Sequence, residues 1–264
     1  MNIGVWIGLL GGLAIVLSNI IGKSAGQAFV NGHGILVVVG GTFAAMLIST
    51  PIGTSFSALK ALLRLLLPQR EMSVDEAVAE GVRLARVAQG GGGLLALRDE
   101  GRGILDGFVN RAIMVAISTG ESDETRRIME KEIKHRRLAR QEDANFWRTV
   151  SVLSPMFGIM GTLLGMIHVL STLSDPSKMG PYMALALSSA FIGIGMANLL
   201  CVPVAGQLRL TAMRETLILE IVLEGVLDIT SGKAPYLVEL HLASYSEQRR
   251  LDMASGLRSP EAAA

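Results

Sequence analysis

The sequence predicts an all-α integral membrane protein with four transmembrane helices, a helical cytoplasmic domain between the second and third, and a cytoplasmic helical tail. Two windows, 149–174 and 179–208, contain no Asp, Glu, Lys or Arg, and a spanning helix needs about 20 mostly apolar residues. Only 18% of the 264 residues are charged, below the roughly 25% usual in soluble domains. No segment shows the two-residue alternation of a β-strand.

The first two predicted spans lie in residues 1–53. Residues 1–22 carry no charged side chain, and they lack the basic segment and the small-residue cleavage site of a signal peptide. We therefore expect residues 3–21 to form a first span that is retained. Residues 34–49 form the second predicted span, which extends at most to Pro51.

Residues 54–147 are predicted to form the helical cytoplasmic domain. Residues 57–67 continue beyond the second span with Lys60 and Arg64 four positions apart. This pattern favours an amphipathic helix at the membrane surface, because apolar side chains can enter the lipid while the cations stay at the headgroups.

Local signals in this domain indicate where helices begin and break. Ser73 followed by Glu76 resembles a capping box and predicts a helix start. Residues 90–93 are four glycines, which we interpret as a hinge because neither a strand nor a P-loop pattern accompanies them. Asp123 is expected to cap a long charged helix that continues into the third span. Its charged residues are spaced for pairing along the helix: Arg126, Glu130 and Lys134.

The third and fourth predicted spans, in residues 148–207, form a hairpin with a turn at 175–181. Pro155 lies where the third helix enters the membrane and Pro203 where the fourth leaves it, and each removes a backbone donor. Small residues let helices approach closely in lipid, and three glycines recur at helical spacing on the third span: Gly158, Gly161 and Gly165.

The predicted spans contain no Asp, Glu, Lys or Arg, and His168 is their only histidine. Intramembrane carboxylates are the usual proton relays, so a pore built from this chain must borrow a carboxylate from a partner. His168 is expected to have a packing or interface role, with a second relay as the alternative. Polar and kinked positions of the hairpin are expected to line the pore wall: Pro155, Thr162, Ser188 and Ser189. Each hydroxyl has the alternative of bonding to its own helix.

Residues 208–264 are predicted to form cytoplasmic amphipathic helices and a disordered tail. Three carboxylates follow one another at four-residue steps in residues 208–229 and suggest a solvated helix face: Glu220, Glu224 and Asp228. Gly232 and Pro235 are expected to end this helix. From Ser246 the composition predicts disorder.

The Lys and Arg residues predict the orientation, because the positive-inside rule applies close to span ends. Of the 24 Lys and Arg residues, only Lys23 and Lys178 lie in the two short links between spans. Basic residues flank the other span ends: Lys60, Arg64, Arg70, Arg137, Arg140, Arg148, Arg209 and Arg214. Both termini, the middle domain and the tail are therefore expected on the cytoplasmic side.

Several function classes lack support in the sequence. The net charge is +1, and no aromatic and basic residues interleave as they do in nucleic-acid-binding proteins. No nucleophile and base, metal-ligand spacing or nucleotide loop is recognisable, so neither an enzyme nor a bound cofactor or metal is expected. Cys201 is the only cysteine, and it is predicted to be a small packing residue.

Several stretches, in order along the chain, carry a resemblance to a known family. Residues 35–42 read ILVVVGGT. The hairpin carries Pro155-x-x-Gly158-x-x-Gly161-Thr162-Leu163-x-Gly165, followed by a Pro-Gly-containing turn and Ala197-Asn198-Leu199 before Pro203. The tail carries Arg214-Glu215-Thr216 and LEGVL at 223–227. This series resembles the flagellar motor stator A subunits of the MotA/PomA family over nearly the whole chain.

The resemblance implies an inner-membrane protein that surrounds a dimer of single-span B subunits, as a ring of five, and shares with them an ion path. The ion-binding Asp would come from the B subunit. Pro155 and Pro203 would be the family's two torque-coupling prolines, and Thr162 and Ser189 would occupy its hydroxyl positions near the ion. Sodium-using members tend to have Thr where Ala190 stands, so the resemblance favours protons.

One departure from the family concerns its cytoplasmic rotor-contact motif. The family has a basic residue before a leucine-rich turn and a Glu after it, whereas here the basic position is a glycine and the Glu position is Arg98. Four charged residues follow the turn and are expected either to meet the rotor of the C-ring or to form an ordinary solvated turn: Arg98, Asp99, Glu100 and Arg102.

The alternative function is that of a relative of the TolQ/ExbB proton-channel proteins, which transmit force to an envelope protein. Those proteins usually have three spans and an outside N-terminus. The predicted pair of spans near the N-terminus and the cytoplasmic start favour the flagellar stator.

Overall fold

The computed structural model describes residues 7, 8, 10–12, 14, 32–67, 72–98, 100, 101 and 103–245. Every regular element in these residues is helical, which confirms the predicted all-α class. Most of the predicted first span at 3–21, and the tail from Ser246, lie outside the described residues.

The longer described helices follow one another as α1 (Gly32–Ser49), α2 (Ile52–Leu66), α3 (Val74–Val87), α4 (Phe108–Thr119), α5 (Ser122–Ser171), α6 (Pro176–Gly195), α7 (Val202–Thr230) and α8 (Pro235–Ala243). The chain divides into two compact units. The first unit comprises Met1–Gln69 and Ala139–Leu210, and the second comprises Arg70–Leu138 and Thr211–Ala264.

Among the described residues, three helical runs are long and apolar enough to cross a membrane: Gly32–Ser49, Ser122–Ser171 and Pro176–Thr230. They contain the predicted second, third and fourth spans. The four-span count itself stays a prediction, because the first span lies mainly outside the described part of the chain.

In the first unit, α1 ends at Thr50, where the backbone becomes extended, and α2 begins after Pro51. The predicted surface segment at 57–67 is therefore part of a separate helix and does not prolong the second span. A proline immediately before the first turn suits this arrangement, because its fixed φ and missing N–H are tolerated there.

The long helix α5 has 50 residues and contains Pro155, as expected for a charged helix that continues into the third span. It begins at Ser122, one residue earlier than the predicted cap at Asp123. The turn predicted at 175–181 is shorter than expected, because Asp175 already caps α6 by accepting from the Ser177 N–H, and Pro176 occupies the first helical turn.

In the second unit, Ser73 and Glu76 form the predicted capping box, since each side chain bonds the backbone N–H of the other. The glycine break at 90–93 is also confirmed, because Gly91 and Gly93 have φ of +124° and +55°, values that favour glycine. Buried apolar side chains from several helices form the core of this unit, among them Val78, Leu84, Phe108, Ile113, Leu219, Val226 and Leu242.

Of the three α7 carboxylates predicted to form a solvated face, Glu220 is exposed as expected, whereas Glu224 and Asp228 are not. Asp228 is 3% exposed and accepts hydrogen bonds from Lys233 Nζ and His241 Nδ1, both at 2.6 Å. Glu224 binds both terminal nitrogens of Arg126, at 2.5 and 2.8 Å. The predicted pairing of Arg126 with Glu130 along α5 is also present, with Arg126 Nη1 3.7 Å from Glu130 Oε1, a longer distance than to Glu224.

A buried acid lies in the first unit, outside the predicted spans. Asp143 is 3% exposed, and its Oδ1 accepts no hydrogen bond from the described residues. Burial raises the pKa of the Asp143 carboxyl above its usual range, although the Ser57 hydroxyl and the Arg140 and Arg64 guanidinium groups oppose this effect.

The raised pKa predicts a pH dependence of stability. A carboxyl with a higher pKa in the folded protein binds its proton more tightly there, so the free energy of unfolding falls as the pH rises above about 4 and levels off beyond the raised pKa. We expect Asp143→Asn to remove this component from thermal unfolding curves recorded in detergent across that pH range.

Asp175→Asn is the matched control, because hydrogen bonds from Ser177 lower the pKa of the Asp175 carboxyl. Replacing Asp175 should remove a contribution of the opposite sign, which increases the free energy of unfolding as the pH rises. If the Asp143→Asn variant kept the pH dependence of the unsubstituted protein, the raised pKa of the Asp143 carboxyl would be contradicted.

Candidate functional site

The predicted glycine face of α5 packs directly on α6. A Cβ added at Gly161 would lie 2.5 Å from Ser189 Cβ, and one added at Gly165 would lie 2.7 Å from Ala186 Cβ and 2.8 Å from its backbone N. Real Cβ atoms do not approach other atoms this closely, so these positions require glycine. Close backbone approach of this kind drives helix association in lipid.

The contact continues towards the other end of the hairpin. A Cβ at Gly193 would lie 2.6 Å from Ser154 O, and a Cβ at Gly158 would lie 3.1 Å from Ser189 O. The buried Ser154 hydroxyl donates to Gly193 O across the two helices, at 3.2 Å. Glycines from both helices therefore form one continuous contact.

Helix α1 covers the same contact from another side. A Cβ at Gly34 would lie 3.1 Å from Ser189 Oγ and 3.2 Å from Ser188 Oγ. Both serines are buried, at 0% and 1% exposed, and both hydroxyls donate to Leu185 O, at 2.8 and 3.1 Å. Two of the five predicted ion-path residues thus lie inside the subunit, where their hydroxyls bond to their own helix.

The other three predicted ion-path residues, Pro155, Thr162 and Ala190, are half-buried, and we refer to them as the Thr162 surface. Pro155 and Thr162 are seven positions apart and so share a face of α5. Ala190 is close by, because its Cα lies 3.4 Å from a Cβ added at Gly158, one turn from Thr162.

Thr162 is the hydroxyl best placed to meet a partner or an ion. Its Oγ1 donates to Ile159 O at 2.6 Å, so its proton is engaged while its lone pairs remain available as acceptors. A hydroxyl held in this way offers an oxygen to a cation or to a protonated carboxyl.

The Thr162 surface contains no ionisable side chain. In the described part of the chain, no group of three or more His, Cys, Asp or Glu residues could hold a metal ion. Within the described residues, this surface therefore offers a hydroxyl oxygen and apolar atoms but no charge, and a carboxylate supplied by a partner stays a prediction from the sequence.

His168 lies on α5 beyond Gly165. Its ring stacks on Tyr182 of α6 with centroids 4.9 Å apart, and its Nδ1 lies 2.7 Å from Leu164 O. Because a carbonyl only accepts, Nδ1 carries the proton. These contacts favour the packing role over a second relay.

The two predicted torque-coupling prolines lie in different helical settings. Pro155 is inside α5, where its missing N–H leaves Ser151 O without its usual donor,. Pro203 is exposed and follows a π-helical turn at Met196–Cys201. A wide π turn relieves the clash between a proline ring and the carbonyl four residues earlier, and such turns often mark functional sites.

The predicted rotor-contact residues are only partly described, since Asp99 and Arg102 lie outside the described residues. Arg98 is exposed. Glu100 is engaged by Arg83, whose Nη1 lies 2.6 Å from Glu100 Oε2 while its Nη2 lies 2.7 Å from Glu80 Oε1. The hydrogen bonds that Arg83 donates to the Glu80 and Glu100 carboxylates raise the pKa of Arg83 above its usual value.

Sequence reasoning missed three parts of this arrangement. Arg83 is 17 positions from Glu100, and nothing local pairs them. Gly34 and Gly193 also went unrecognised, although small residues within predicted spans are the signal that could have identified them.

Comparisons with known proteins agree with this architecture. Residues 100–221 match the family described as the MotA/TolQ/ExbB proton channel family. The chain is 30% identical over 246 residues to the Chemotaxis protein PomA of Vibrio alginolyticus, covering 93% of this chain and 95% of that protein. It is 28% identical over 245 residues to Motility protein A of Treponema pallidum, covering 93% and 94%.

Among solved structures, the flagellar MotAB stator complex from Bacillus subtilis contains a chain that superposes with a TM-score of 0.83. The two chains are 24% identical, and the match covers 94% of this chain and 98% of that one. At this identity the likeness shows the fold.

The glycine contact predicts that Gly165→Ala destabilises the protein. Overpacking costs about 1–3 kcal/mol, more than the roughly 1 kcal/mol that alanine gains over glycine in a helix. We expect a lower apparent Tm for the purified full-length protein in detergent.

Gly195→Ala is the matched control on α6, since a Cβ there would meet nothing within 4 Å. Its Tm should stay the same or rise. Equal Tm values for the two alanine variants would contradict the close contact of α5 and α6.

Proposed function

The chain belongs to the MotA/PomA family of flagellar stator A subunits, within the MotA/TolQ/ExbB proton channel family, and on that premise we propose how it works as the A subunit of an ion-driven stator. In this role, ion flow through the membrane is converted into torque on the flagellar rotor. The family is one of stator and channel subunits and not a family of enzymes. The full-length similarity to PomA favours the stator over the TolQ/ExbB alternative.

The ion path lies between this chain and a single-span B subunit. The observation that carries this proposal is the Thr162 surface, which is half-buried, offers the Thr162 oxygen and has no ionisable group. Because carboxylates are the usual intramembrane relays, the B subunit supplies an Asp opposite Thr162. The related Bacillus subtilis structure is a MotAB complex, which supports a partner of this kind.

Within this path, Pro155, Thr162 and Ala190 face the B subunit. Ser188 and Ser189 form a second layer behind them, where their bonds to Leu185 O hold the wall in place. The transported ion is a proton, because Ala190 provides no side-chain oxygen where a hard cation such as Na⁺ would need one more ligand.

The assembly is a ring of five A subunits around a B dimer in the bacterial inner membrane. Four spans place both termini on the cytoplasmic side, following the distribution of Lys and Arg. The domains are 1–53 for the first two spans, 54–147 for the cytoplasmic domain, 148–207 for the hairpin and 208–264 for the tail.

Torque passes through the two prolines to the cytoplasmic charges. Pro155 in α5 and Pro203 after its π turn interrupt regular helical hydrogen bonding, so each provides a place where a helix can bend. Arg98 meets the rotor of the C-ring, together with Asp99 and Arg102, whereas Glu100 positions the turn through Arg83.

The proposed path predicts that Thr162→Val reduces ion flux through the reconstituted A–B complex by about tenfold, the effect of losing one hydrogen-bonding partner worth about 1.4 kcal/mol. The isosteric side chain keeps the packing. Proton flux into vesicles, measured with a pH-sensitive dye, checks this.

Thr149→Val is the matched control, since Thr149 is exposed on α5 and donates to Asn145 O. It should leave the flux unchanged. Full flux in Thr162→Val, with normal amounts of complex, would exclude Thr162 from the path.

The charge assignment predicts that Arg98→Glu impairs swimming but leaves ion flux unchanged, because the exposed Arg98 contacts the rotor and not the path. Swimming speed and vesicle flux, measured for the same variant, separate the two effects. Arg127→Glu, at an exposed arginine on α5, is the control and should swim normally. Normal swimming with Arg98→Glu would remove this residue from the rotor contact.

A further inference from the structure

Helix α2 exposes a row of large apolar side chains, which is unusual for a helix in contact with water. Its inner face packs through Ala58 and Ala61, which are 0% and 5% exposed. Four large apolar side chains at helical spacing face outward, and all are about half exposed or more: Ile52, Phe56, Leu59 and Leu63. We refer to these four as the α2 stripe.

The first unit itself fixes this orientation of α2. Trp147 Nε1–H donates to Ala58 O at 3.0 Å in a buried contact, and the apolar cluster around it includes Met46, Phe146 and Cys201. Turning the α2 stripe inward would break this contact. The stripe therefore stays on the outer surface, where it needs an apolar environment.

An apolar groove opens beside the α2 stripe. The cavity holds about 150 Å³ and lies between α1 and α2, with Phe146 behind it. Apart from Ser55, its walls are apolar: Phe43, Met46 and Leu47 from α1, Phe56 and Leu59 from α2, and Phe146. Leu47, Phe56 and Leu59 are also exposed, so the groove is open to the outside.

Two cationic side chains of α2 lie next to the α2 stripe. Lys60 and Arg64 are exposed and follow Leu59 and Leu63 directly, so they lie along the edge of the α2 stripe. Helix α2 contains no Asp or Glu. A helix whose apolar stripe is accompanied on the same helix by cations and no acid is typical of one that binds anionic lipid.

We propose that the groove between α1 and α2 binds an anionic phospholipid of the cytoplasmic leaflet. Its acyl chain enters the groove, and its phosphate lies between Lys60 and Arg64. The groove is continuous with α1, a helix apolar and long enough to span the membrane, so a lipid beside α1 reaches it without leaving the bilayer. The site rests on the proposed topology and does not depend on the ion path.

The first test determines what covers the α2 stripe in the A–B complex in nanodiscs. A spin label at Phe56→Cys, on a Cys201→Ser background, reports its collisions with oxygen and with a water-soluble nickel chelate. Lipid contact gives high oxygen and low chelate accessibility, which we expect.

Low accessibility to both reagents would mean that a neighbouring subunit covers the stripe, and high chelate accessibility would mean water. Either result overturns the proposal. Ala79→Cys, on an exposed position of α3, is the control and should show high chelate accessibility.

The second test determines the headgroup. The complex is equilibrated in detergent micelles that contain phosphatidylglycerol and phosphatidylcholine, and its retained lipid is counted by native mass spectrometry. We expect a preference for phosphatidylglycerol that Lys60→Gln lowers by about fivefold, the contribution of one cation at an anionic surface.

Lys131→Gln, which removes an exposed lysine from the second unit, should retain the full preference. Absence of any preference in the unsubstituted complex, or equal preference in Lys60→Gln, would overturn the anionic site. Because neither test measures ion flux, failure here leaves the stator function untouched.

Discussion

The hydrocarbon core of a membrane makes an unpaired charge costly, and this constraint underlies the organisation of the chain. Residues 149–174 and 179–208 contain no Asp, Glu, Lys or Arg, so the hairpin can enter lipid without a charge to neutralise. The same property removes every carboxylate that could carry a proton. In the proposed function, a stator built from this chain therefore depends on a second protein for its ionisable group, while the A subunit contributes shape, oxygen atoms and points of bending.

Close glycine packing determines which polar atoms remain available for that task. The contacts of Gly161 and Gly165 with α6, together with Gly34 on α1, enclose Ser188 and Ser189 inside the subunit. Thr162 lies on the adjacent face of α5 and keeps its oxygen at the surface. Because of this helix contact, the Ser188 and Ser189 hydroxyls are buried between the helices, whereas the Thr162 hydroxyl lies at the surface of the subunit.

Features that depend on neighbouring residues could be predicted from the sequence, and those that depend on distant contacts could not. The capping box of Ser73 and Glu76 and the continuation of α5 into the third span follow from local patterns. The pairing of Arg126 with Glu224, 98 positions away, depends on the tertiary fold. For the same reason the spacing of the hydroxyls did not reveal that Ser188 is buried and Thr162 is not.

The most direct test of the shared path is ion flux in vesicles that contain this chain, its single-span partner, or both. The account predicts flux only when both chains are present, and loss of that flux when the partner's membrane Asp is changed to Asn. Flux through this chain alone, or flux that persists without the partner's carboxylate, would contradict the central claim. In that case His168, the only histidine of the two hairpin spans, would become the candidate relay.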